Sequence, residues 1–481
     1  MSFRIAQIPS DDKFSHRFSL PLLEQIYPRE VICDLLSQFN LWEKRERKLS
    51  QLVMVYLLIA WHLFRHENLR SVFLHISAGL RLLGIMSTSE VPTRTAFLFR
   101  RKQLGVRLLR TLVRRICKPL ADAQTPGAFA FGYRLTAIDG TLEDVADSPA
   151  NARFFGRTAS GKTASPYPQA RCVYLVEVGT HLIFDAILAP CRASEHRLCW
   201  GLLRSIEASM LVLLDRGFVS GAFFEAIVGR GAQVLARLAN NVFLSREKVL
   251  ADGSYLTTMS ARHCKGLHRS MTVRVIEYRI KPAVADVLVQ QPPSRMHSKS
   301  HGTNPDVGTL HRLVTTLLDP VLAPALELCL LYHERWEIEL SIDETKNHLR
   351  ISQSPLLSHI PQLALQELYA LLLTHYAIRV VMFRAAQSCV DLDPDRLSFT
   401  LGVQALHDAV ILASQTRVSS LGTLQLHLQA GLTLKGSLLE PRRLRFNCRV
   451  VKRICTRFRC KRPHHLNLAL PRSSFSDLLL I

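Results

Sequence analysis

The feature that most constrains the fold is a run of short apolar segments between residues 133 and 215. Four of them read YRLTAID, ARCVYLVEVG, HLIFDAILAP and MLVLLD, and several are rich in β-branched residues. Such segments are typical of β-strands. A helical pattern, SEHRLCWGLLRSIEA, lies between the last two. Three neighbouring strands, a helix and a further strand predict an α/β core built around a sheet.

Sequence of a different character surrounds this core. Apolar residues recur at three- and four-residue spacing up to about residue 120, which predicts a helical N-terminal domain. Further strand-like runs, AQVLARLA, SMTVRVIEYRI and HRLVTTLLD, predict a β-rich insertion with a flexible loop at 290–306. Helix is predicted again from residue 320 to about 413. The predicted division is 1–120, 121–225 (core, first part), 226–319 (insertion), 320–400 (core, second part) and 401–481 (helical, basic C-terminal region).

The charge balance predicts a polyanionic partner. The 481-residue chain has 61 Lys and Arg against 39 Asp and Glu, a formal net charge of +22. Nucleic acid and an anionic membrane both fit this excess. The longest apolar run, residues 52–64, is shorter than the roughly 20 residues that a bilayer requires. We therefore expect no membrane association. The 11 scattered cysteines, with no C-x-x-C pair, and an N-terminus without a secretion signal predict a cytoplasmic protein.

One basic segment, from Arg94 to Lys118, has no acidic residue. On a single continuous helix, one side would carry Arg100, Arg107, Arg110 and Arg114. Such a face is usually a solvated surface, and the absence of compensating acids here makes contact with DNA phosphates an equal alternative.

The segment YHERWEIELSIDETK, beginning at Tyr332, combines dense charge with an apolar repeat. The chain has neither Gly nor Pro from Ala325 to Leu349, which predicts one helix. At about 100° per residue, an apolar stripe is flanked by a polar one. The apolar stripe comprises Leu331, Ile338, Ile342 and Leu349. The polar stripe comprises Tyr332, Arg335, Glu339 and Lys346.

The remaining acids of this helix fit a simpler interpretation. Glu334, Glu337 and Glu344 point away from the polar stripe, as expected for exposed residues in weak intrahelical ion pairs. Asp343 lies close to Glu339, and geometry alone does not exclude it from the stripe. The whole helix could be explained by surface ion pairs, and this alternative stays open at this point.

Two further carboxylates stand at strand ends. Asp139 ends LTAID and Asp215 ends LVLLD. Each could simply shape a turn beside a glycine. Together with Glu339 they form a set of three carboxylates, the ligand type that Mg²⁺ or Mn²⁺ prefers. Two such ions support phosphodiester chemistry, and Arg335 and Lys346 are suited to binding phosphates.

The spacing Y-x2-R-x3-E-x6-K in these residues resembles the signature of the insertion-sequence-four group of bacterial DDE transposases. AIDGTLEDVADSPANARFFG resembles that group's block around its first Asp, and LVLLDRGFVSGAFF resembles the block around its second. RKLSQLVMVYLLIAWHLFRHENLRSVFLHI and PTRTAFLFRRKQLG resemble its helical N-terminal domain. The resemblance covers residues 20–399 and implies an RNase H-like core interrupted by a β-rich insertion.

The resemblance also implies roles. It makes Asp139, Asp215 and Glu339 the catalytic metal ligands, and Tyr332, Arg335 and Lys346 the residues that handle phosphates at the transposon end. The implied reaction cuts double-stranded DNA at terminal inverted repeats, passes through a hairpin and joins the element to target DNA. A homodimer in the synaptic complex and a location at the bacterial nucleoid are further implications.

Four alternatives were weighed. A stand-alone nuclease of the same fold would cut without strand transfer, and a catalytically inactive DNA-binding descendant would lack one of the carboxylates. A zinc site among Cys448, Cys455, Cys460, His464 and His465 has poor ligand spacing, so a basic DNA-binding arm is favoured there. GRTASGKT matches the phosphate-loop pattern but lacks a preceding strand and a following helix, which favours a basic loop.

Overall fold

The structure is a computed structural model. It describes residues 21–44, 49–64, 67–77, 91–160, 163–239, 242, 244–262, 268–280, 310–350, 354–415, 421–441 and 479–480. The proposed flexible loop at 290–306, the Cys and His residues considered for zinc, and the basic tail around them lie outside the described residues.

Within these ranges both helices and strands are abundant. The α-helices are α1 (Pro21–Glu24), α2 (Arg29–Gln38), α3 (Gln51–Trp61), α4 (Leu69–Ile76), α5 (Arg94–Leu104), α6 (Arg107–Ile116), α7 (Pro149–Phe155), α8 (Glu195–Leu198), α9 (Gly221–Val228), α10 (Ala325–His333), α11 (Glu337–Asp343), α12 (Pro361–Gln387), α13 (Phe399–Gln415) and α14 (Leu421–Thr433). The strands are β1 (Phe129–Ala130), β2 (Tyr133–Asp144), β3 (Ala159–Ser160), β4 (Thr163–Ala164), β5 (Gln169–Glu177), β6 (Leu182–Pro190), β7 (Met210–Leu214), β8 (Gln233–Arg237), β9 (Lys248–Val249), β10 (Tyr255–Arg262), β11 (His268–Ile280), β12 (His311–Thr315) and β13 (Leu479–Leu480).

The chain divides into two compact units. The first contains residues 1–128, 137–205 and 337–440, and the second contains 129–136, 206–336 and 441–481. Strand β2 begins in the second unit and continues into the first. We describe each unit by itself.

The strand order defines the fold class. In the first unit β6, β5 and β2 are neighbours, and β5 and β6 are antiparallel, with Ala170 opposite Pro190. In the second unit the order is β2, β7, β8, β12, β11, β10 and β9, and β7 runs parallel to β8. Counting β2, β5, β6, β7 and β8 in chain order gives the arrangement 3-2-1-4-5 of an RNase H-like sheet. The predicted mixed α/β, RNase H-like class is confirmed.

The first unit is built around the long helix α12. It begins with Pro361, whose fixed φ and missing N–H suit the first helical position. The N-terminal helices pack on it through apolar side chains and a few directional bonds. Buried Arg101 of α5 donates to Gln366 Oε1 at 2.8 Å and to the Leu363 carbonyl at 2.9 Å. Arg101 is therefore a structural arginine.

Helix α12 is also long and apolar enough to cross a membrane. However, 89% of its most apolar window is buried inside the protein. A core helix of a folded domain passes the same length and hydropathy test, so the burial explains its composition.

The second unit contains the strand-rich segment predicted at 226–319. Strand β8 pairs in parallel with β7, whereas β10 and β11 form an antiparallel hairpin in which Tyr255 lies opposite Val275. The sequence analysis overlooked β10, because the turn-like residues LADGSY mask the strand that begins at Tyr255. Arg274 of β11 is fully buried and donates to Ser254 Oγ at 2.7 Å, which stabilises the turn before β10.

Two predicted continuous helices are interrupted, and these predictions were wrong. The basic segment breaks at Gly105, which has φ +64° and ends α5, so Arg100 lies on a different helix from Arg107. The helix expected from Ala325 to Leu349 consists of four consecutive parts. A 3₁₀ turn at Glu334–Trp336 separates α10 from α11, and a π turn at Glu344–His348 follows. A projection at a constant angle per residue therefore fails across this segment.

Candidate active site

Asp139 lies in the middle of β2 and not, as predicted, at a strand end, because the strand continues to Asp144. Ile138 before it is fully buried, whereas Asp139 is half-buried. Its Oδ1 accepts the Gly140 N–H at 2.7 Å. A Cβ at Gly140 would lie 2.5 Å from the Glu195 carboxyl carbon, so glycine leaves room for that side chain. Glu195 is held by Arg171. The backbone of Asp139 is thus fixed in the strand, and its carboxylate remains partly accessible.

Asp215 directly follows β7, every residue of which is buried, and is itself half-exposed. Tyr332 contacts the same strand end, because its hydroxyl donates to the Leu214 carbonyl at 3.1 Å. The Arg335 guanidinium lies 5.9 Å from the centre of the Tyr332 ring. Burial raises the pKa of the Tyr332 phenol, while Arg335 lowers it and Asp215 raises it further. Within the second unit, these three residues therefore share one location.

Glu339 is exposed, although its neighbour Ile338 is fully buried. Lys346, on the π turn, is half-buried and lies near Glu143 of β2. Burial raises the pKa of the Glu143 carboxyl, whereas Arg350 and Lys346 lower it. Asp343 is engaged locally: its carboxylate contacts His348 Nε2 at 3.1 Å and accepts from the Asn347 amide.

The interpretation of Glu334, Glu337 and Glu344 as exposed residues was wrong, since each is less than 10% exposed. In the first unit, Glu344 accepts from His375 Nε2 at 2.9 Å and from Arg379 Nε at 3.0 Å. Although burial alone would raise it, Arg379 and the neighbouring imidazoles hold the pKa of Glu344 well below its usual range. Burial lowers the pKa of His375.

Glu337 joins a second part of the same cluster. His181 Nε2 lies 2.8 Å from Glu337 Oε2 and 3.4 Å from Asp395 Oδ1. The sequence analysis missed His181, His375, Arg379 and Asp395 altogether. No local pattern marks them, because each is an isolated polar residue in an apolar or turn segment.

This cluster has the residue types of a metal site. Ligand atoms of His181, Glu337 and Asp395 all lie within 4.8 Å of one another, the one such group among the residues that the structure describes. However, the Arg379 guanidinium lies 3.0 Å from His181 Nδ1. A guanidinium can only donate, so Nδ1 carries the lone pair and Nε2 carries the proton. With Nε2 protonated, the imidazole cannot ligate a cation at the point where the carboxylates converge.

Each of Asp139, Asp215 and Glu339, taken by itself, is chemically suited to bind a divalent metal. Each presents carboxylate oxygens, the ligands of hard cations, and each is at least partly exposed while the residue before it is fully buried. The chemistry and accessibility of the donors therefore suit Mg²⁺ or Mn²⁺.

A basic surface lies on α6. Leu108, Leu109, Leu112 and Val113 are buried, whereas Arg107, Arg110 and Arg114 are exposed. Burial and the nearby cations Arg204 and Arg110 lower the pKa of Arg114. Arg100, on α5, is instead half-buried and lies 3.5 Å from Glu43 Oε1. Three of the four arginines predicted to contact DNA thus share an exposed face.

Comparisons with known proteins agree with this chemistry. Residues 130–373 match the family described as Transposase DDE domain, and residues 17–114 match Insertion element 4 transposase N-terminal. Transposase InsG for insertion sequence element IS4 of Escherichia coli (strain K12) is 25% identical over 380 residues, covering 77% of this chain and 78% of that protein. A solved structure, the cryo-EM piggyBac transposase synaptic complex with hairpin DNA, aligns over 86% of this chain and 85% of its own at 11% identity, with a TM-score of 0.43.

The fold and the matched domain define a DNA-cleaving and strand-transferring enzyme. The chain belongs to the DDE transposase family, with the N-terminal domain of the insertion element 4 group. Membership implies DNA as the partner and use of a divalent metal ion. The resemblance first found in the Y-x2-R-x3-E-x6-K spacing is confirmed.

Proposed function

We propose that this transposase cuts at the ends of its own insertion sequence and transfers the freed 3′-OH ends into target DNA. One observation carries the proposal. Asp139, Asp215 and Glu339 are all accessible carboxylates, although each directly follows a fully buried residue. Each carboxylate is therefore accessible to an ion while the backbone beside it is anchored in the core, which suits a metal ligand.

The residues divide the work. Asp139, Asp215 and Glu339 would hold Mg²⁺ or Mn²⁺, and a bound pair of ions would activate the attacking oxygen and stabilise the leaving one. Arg335 binds a phosphate of the transposon end, oriented by the Tyr332 ring. Lys346 supplies a second, more flexible cation.

Family membership supports the wider assignments that we also propose. The N-terminal segment 1–120 recognises the terminal inverted repeats, with Arg107, Arg110 and Arg114 on phosphates and Arg100 adding to this set once DNA is bound. Segments 121–225 and 320–400 form the catalytic core, 226–319 is the insertion, and 401–481 is an auxiliary basic region. Excision passes through a DNA hairpin in a homodimeric synaptic complex, at the nucleoid of the bacterial cytoplasm.

A cleavage assay tests this function. Labelled duplexes that carry the element's own ends are incubated with the full chain and Mg²⁺, Ca²⁺ or EDTA. We expect nicked and hairpin products with Mg²⁺, and end binding without cleavage in the other two. Cleavage at the same rate in EDTA would refute the metal assignment. Adding a circular target separates a transposase from a nuclease, because only a transposase joins the labelled 3′ end to it.

A further inference from the structure

We propose that the buried polar cluster behind α11 is a clamp that sets the orientation of Glu339, and that its members are positioning residues for metal binding. This inference rests on the proposed function and extends it to residues that contact neither metal nor DNA. The clamp comprises His181, Glu337, Ser341, Glu344, His375, Arg379 and Asp395.

Three clamp residues belong to the helical segment 337–348. Within α11, Glu337 and Ser341 are four residues apart and share a face. Glu344, the first residue of the π turn that follows, approaches the same His181, whose Nδ1 lies 4.0 Å from Glu344 Oε1. All three are less than 10% exposed. Glu339 is two residues from Glu337, about 200° around the axis, so it lies on the opposite face. A rotation of the helix that released the clamp would therefore turn Glu339 away from its exposed position.

The clamp reaches this face from three separate segments. His181 lies in the turn between β5 and β6, and its backbone carbonyl accepts a hydrogen bond from the Ser341 hydroxyl at 3.0 Å. Arg379 of α12 forms two bonds to the Glu344 carboxylate. Asp395 lies in the turn Pro394–Arg396. Since these anchors come from different directions, the segment can neither rotate nor slide without breaking charged contacts.

His181 adopts a backbone conformation that supports this role. Its φ is +58°, in the left-handed region that side chains other than glycine rarely adopt. The turn places the imidazole between Arg379 on one side, at 3.0 Å, and Glu337 on the other, at 2.8 Å. One fully buried ring thus connects the core helix α12 to the first residue of α11.

The use of charge instead of apolar contact is informative. Buried ion pairs contribute little net stability, because desolvation offsets their attraction. Apolar packing has no preferred direction, whereas bidentate Arg–carboxylate bonds fix geometry. Residues that orient metal ligands from behind alter metal affinity or activity about 10–100-fold when mutated. A clamp of this composition suits orientation better than stability.

The decisive test replaces the central pair with apolar residues. Glu344→Leu combined with Arg379→Met removes both charges together, so that neither is left buried without its partner. We expect a folded protein that binds transposon ends normally. The affinity for Mn²⁺, titrated without DNA by its electron paramagnetic resonance signal, should fall about tenfold or more, and the Mg²⁺ concentration for half-maximal cleavage should rise by a similar factor.

Two milder variants probe the other anchors. His181→Asn retains a residue that tolerates positive φ but removes the ring that bridges Arg379 and Glu337. It should raise the Mg²⁺ requirement about tenfold. Ser341→Ala removes one neutral hydrogen bond and should raise it only about twofold to threefold.

Glu367→Gln is the matched control. Glu367 is 2% exposed and accepts the Leu357 N–H at 2.9 Å and the Ser358 N–H at 3.0 Å, away from α11. It should lower the melting temperature and leave the Mg²⁺ requirement unchanged. If it shifts the Mg²⁺ requirement as much as His181→Asn does, orientation is not the cause and the clamp proposal fails.

The outcomes separate the clamp from the function. If the wild-type chain does not cleave its ends in Mg²⁺, the proposed function fails. If the wild type cleaves and the folded Glu344→Leu, Arg379→Met variant shows the same Mg²⁺ requirement, only the clamp is refuted. If that variant does not fold, His181→Asn and Ser341→Ala test the clamp instead. An unchanged Mg²⁺ requirement in both of them refutes it.

Discussion

Helix α6 and the segment 337–348 are both amphipathic, yet they distribute charge in opposite ways. In α6 the leucines are buried and the arginines are exposed. In segment 337–348 two glutamates, Glu337 and Glu344, are buried, while Glu339 is exposed. The charges of α6 are available to a partner, whereas two of the four acidic side chains of segment 337–348 are paired inside the protein. Charge density alone does not show which of these roles a helix has.

The largest expected effect separates the two faces of segment 337–348. Glu339→Gln keeps the side-chain size but removes the anionic ligand, so cleavage and strand transfer should fall by about 10⁴-fold. Folding and end binding should be nearly unchanged. Asp343→Asn is the control, because that carboxylate contacts His348 within its own segment. A dead Asp343→Asn together with an active Glu339→Gln would show that the wrong acid has been chosen.

Glu344→Gln tests the buried face through stability. Removing one partner of a buried ion pair costs about 3–5 kcal/mol, so the free energy of unfolding should fall by that amount in chemical denaturation at pH 7. Because the pKa of Glu344 is lowered in the folded state, its stabilisation is full above the ordinary carboxyl pKa of about 4.3 and is lost as pH falls below it. When the pH is lowered from about 5 to about 3, the free energy of unfolding should therefore fall less in the variant than in the wild type. Identical pH profiles would contradict the assignment.

A smaller effect is expected for the phosphate-binding residues. Arg335→Ala should reduce late steps, hairpin formation and strand transfer, more than first nicking, by about tenfold to a hundredfold. Since Arg335 is only 6% exposed, its replacement also removes buried contacts, so the melting temperature of the variant should be measured in parallel. Lys346→Ala should have the weaker effect of the two, because a flexible ammonium is more easily replaced. Equal loss at every step would argue against a role in holding the DNA end.

The smallest effect concerns the exposed face of α6. Replacing any one of these arginines with alanine should weaken end binding (Arg107→Ala, Arg110→Ala, Arg114→Ala). The plot of log affinity against log salt concentration should become less steep by about 0.9 for each variant. Cleavage of saturated complexes should be unaffected. Arg153→Ala removes an exposed arginine from α7 and serves as the control. A face that is merely solvated would leave the slope unchanged in all four variants.

Whether an element was predicted correctly depends on how far apart in the chain the residues that stabilise it lie. Strands β2, β5, β6 and β7 form where alternating or continuous apolar runs predicted them. Strand β10 was overlooked because the residues leading into it resemble a turn, and its pairing with β11 and β9 is not visible in the sequence. The break at Gly105 was visible in the sequence as a glycine inside a helical pattern, a position that is tolerated in many helices.

The sequence by itself determined the positions of β2, β5, β6 and β7, the basic face of α6 and the motif that places the chain in its family. Each of these depends on residue spacing within one element, which a linear sequence displays directly. Only the tertiary structure decided which acids of segment 337–348 are buried. Their partners are remote: Arg379 is 35 residues from Glu344 and 198 from His181. Because a buried carboxylate is stable only beside such partners, its burial cannot be inferred until the chain has brought them together.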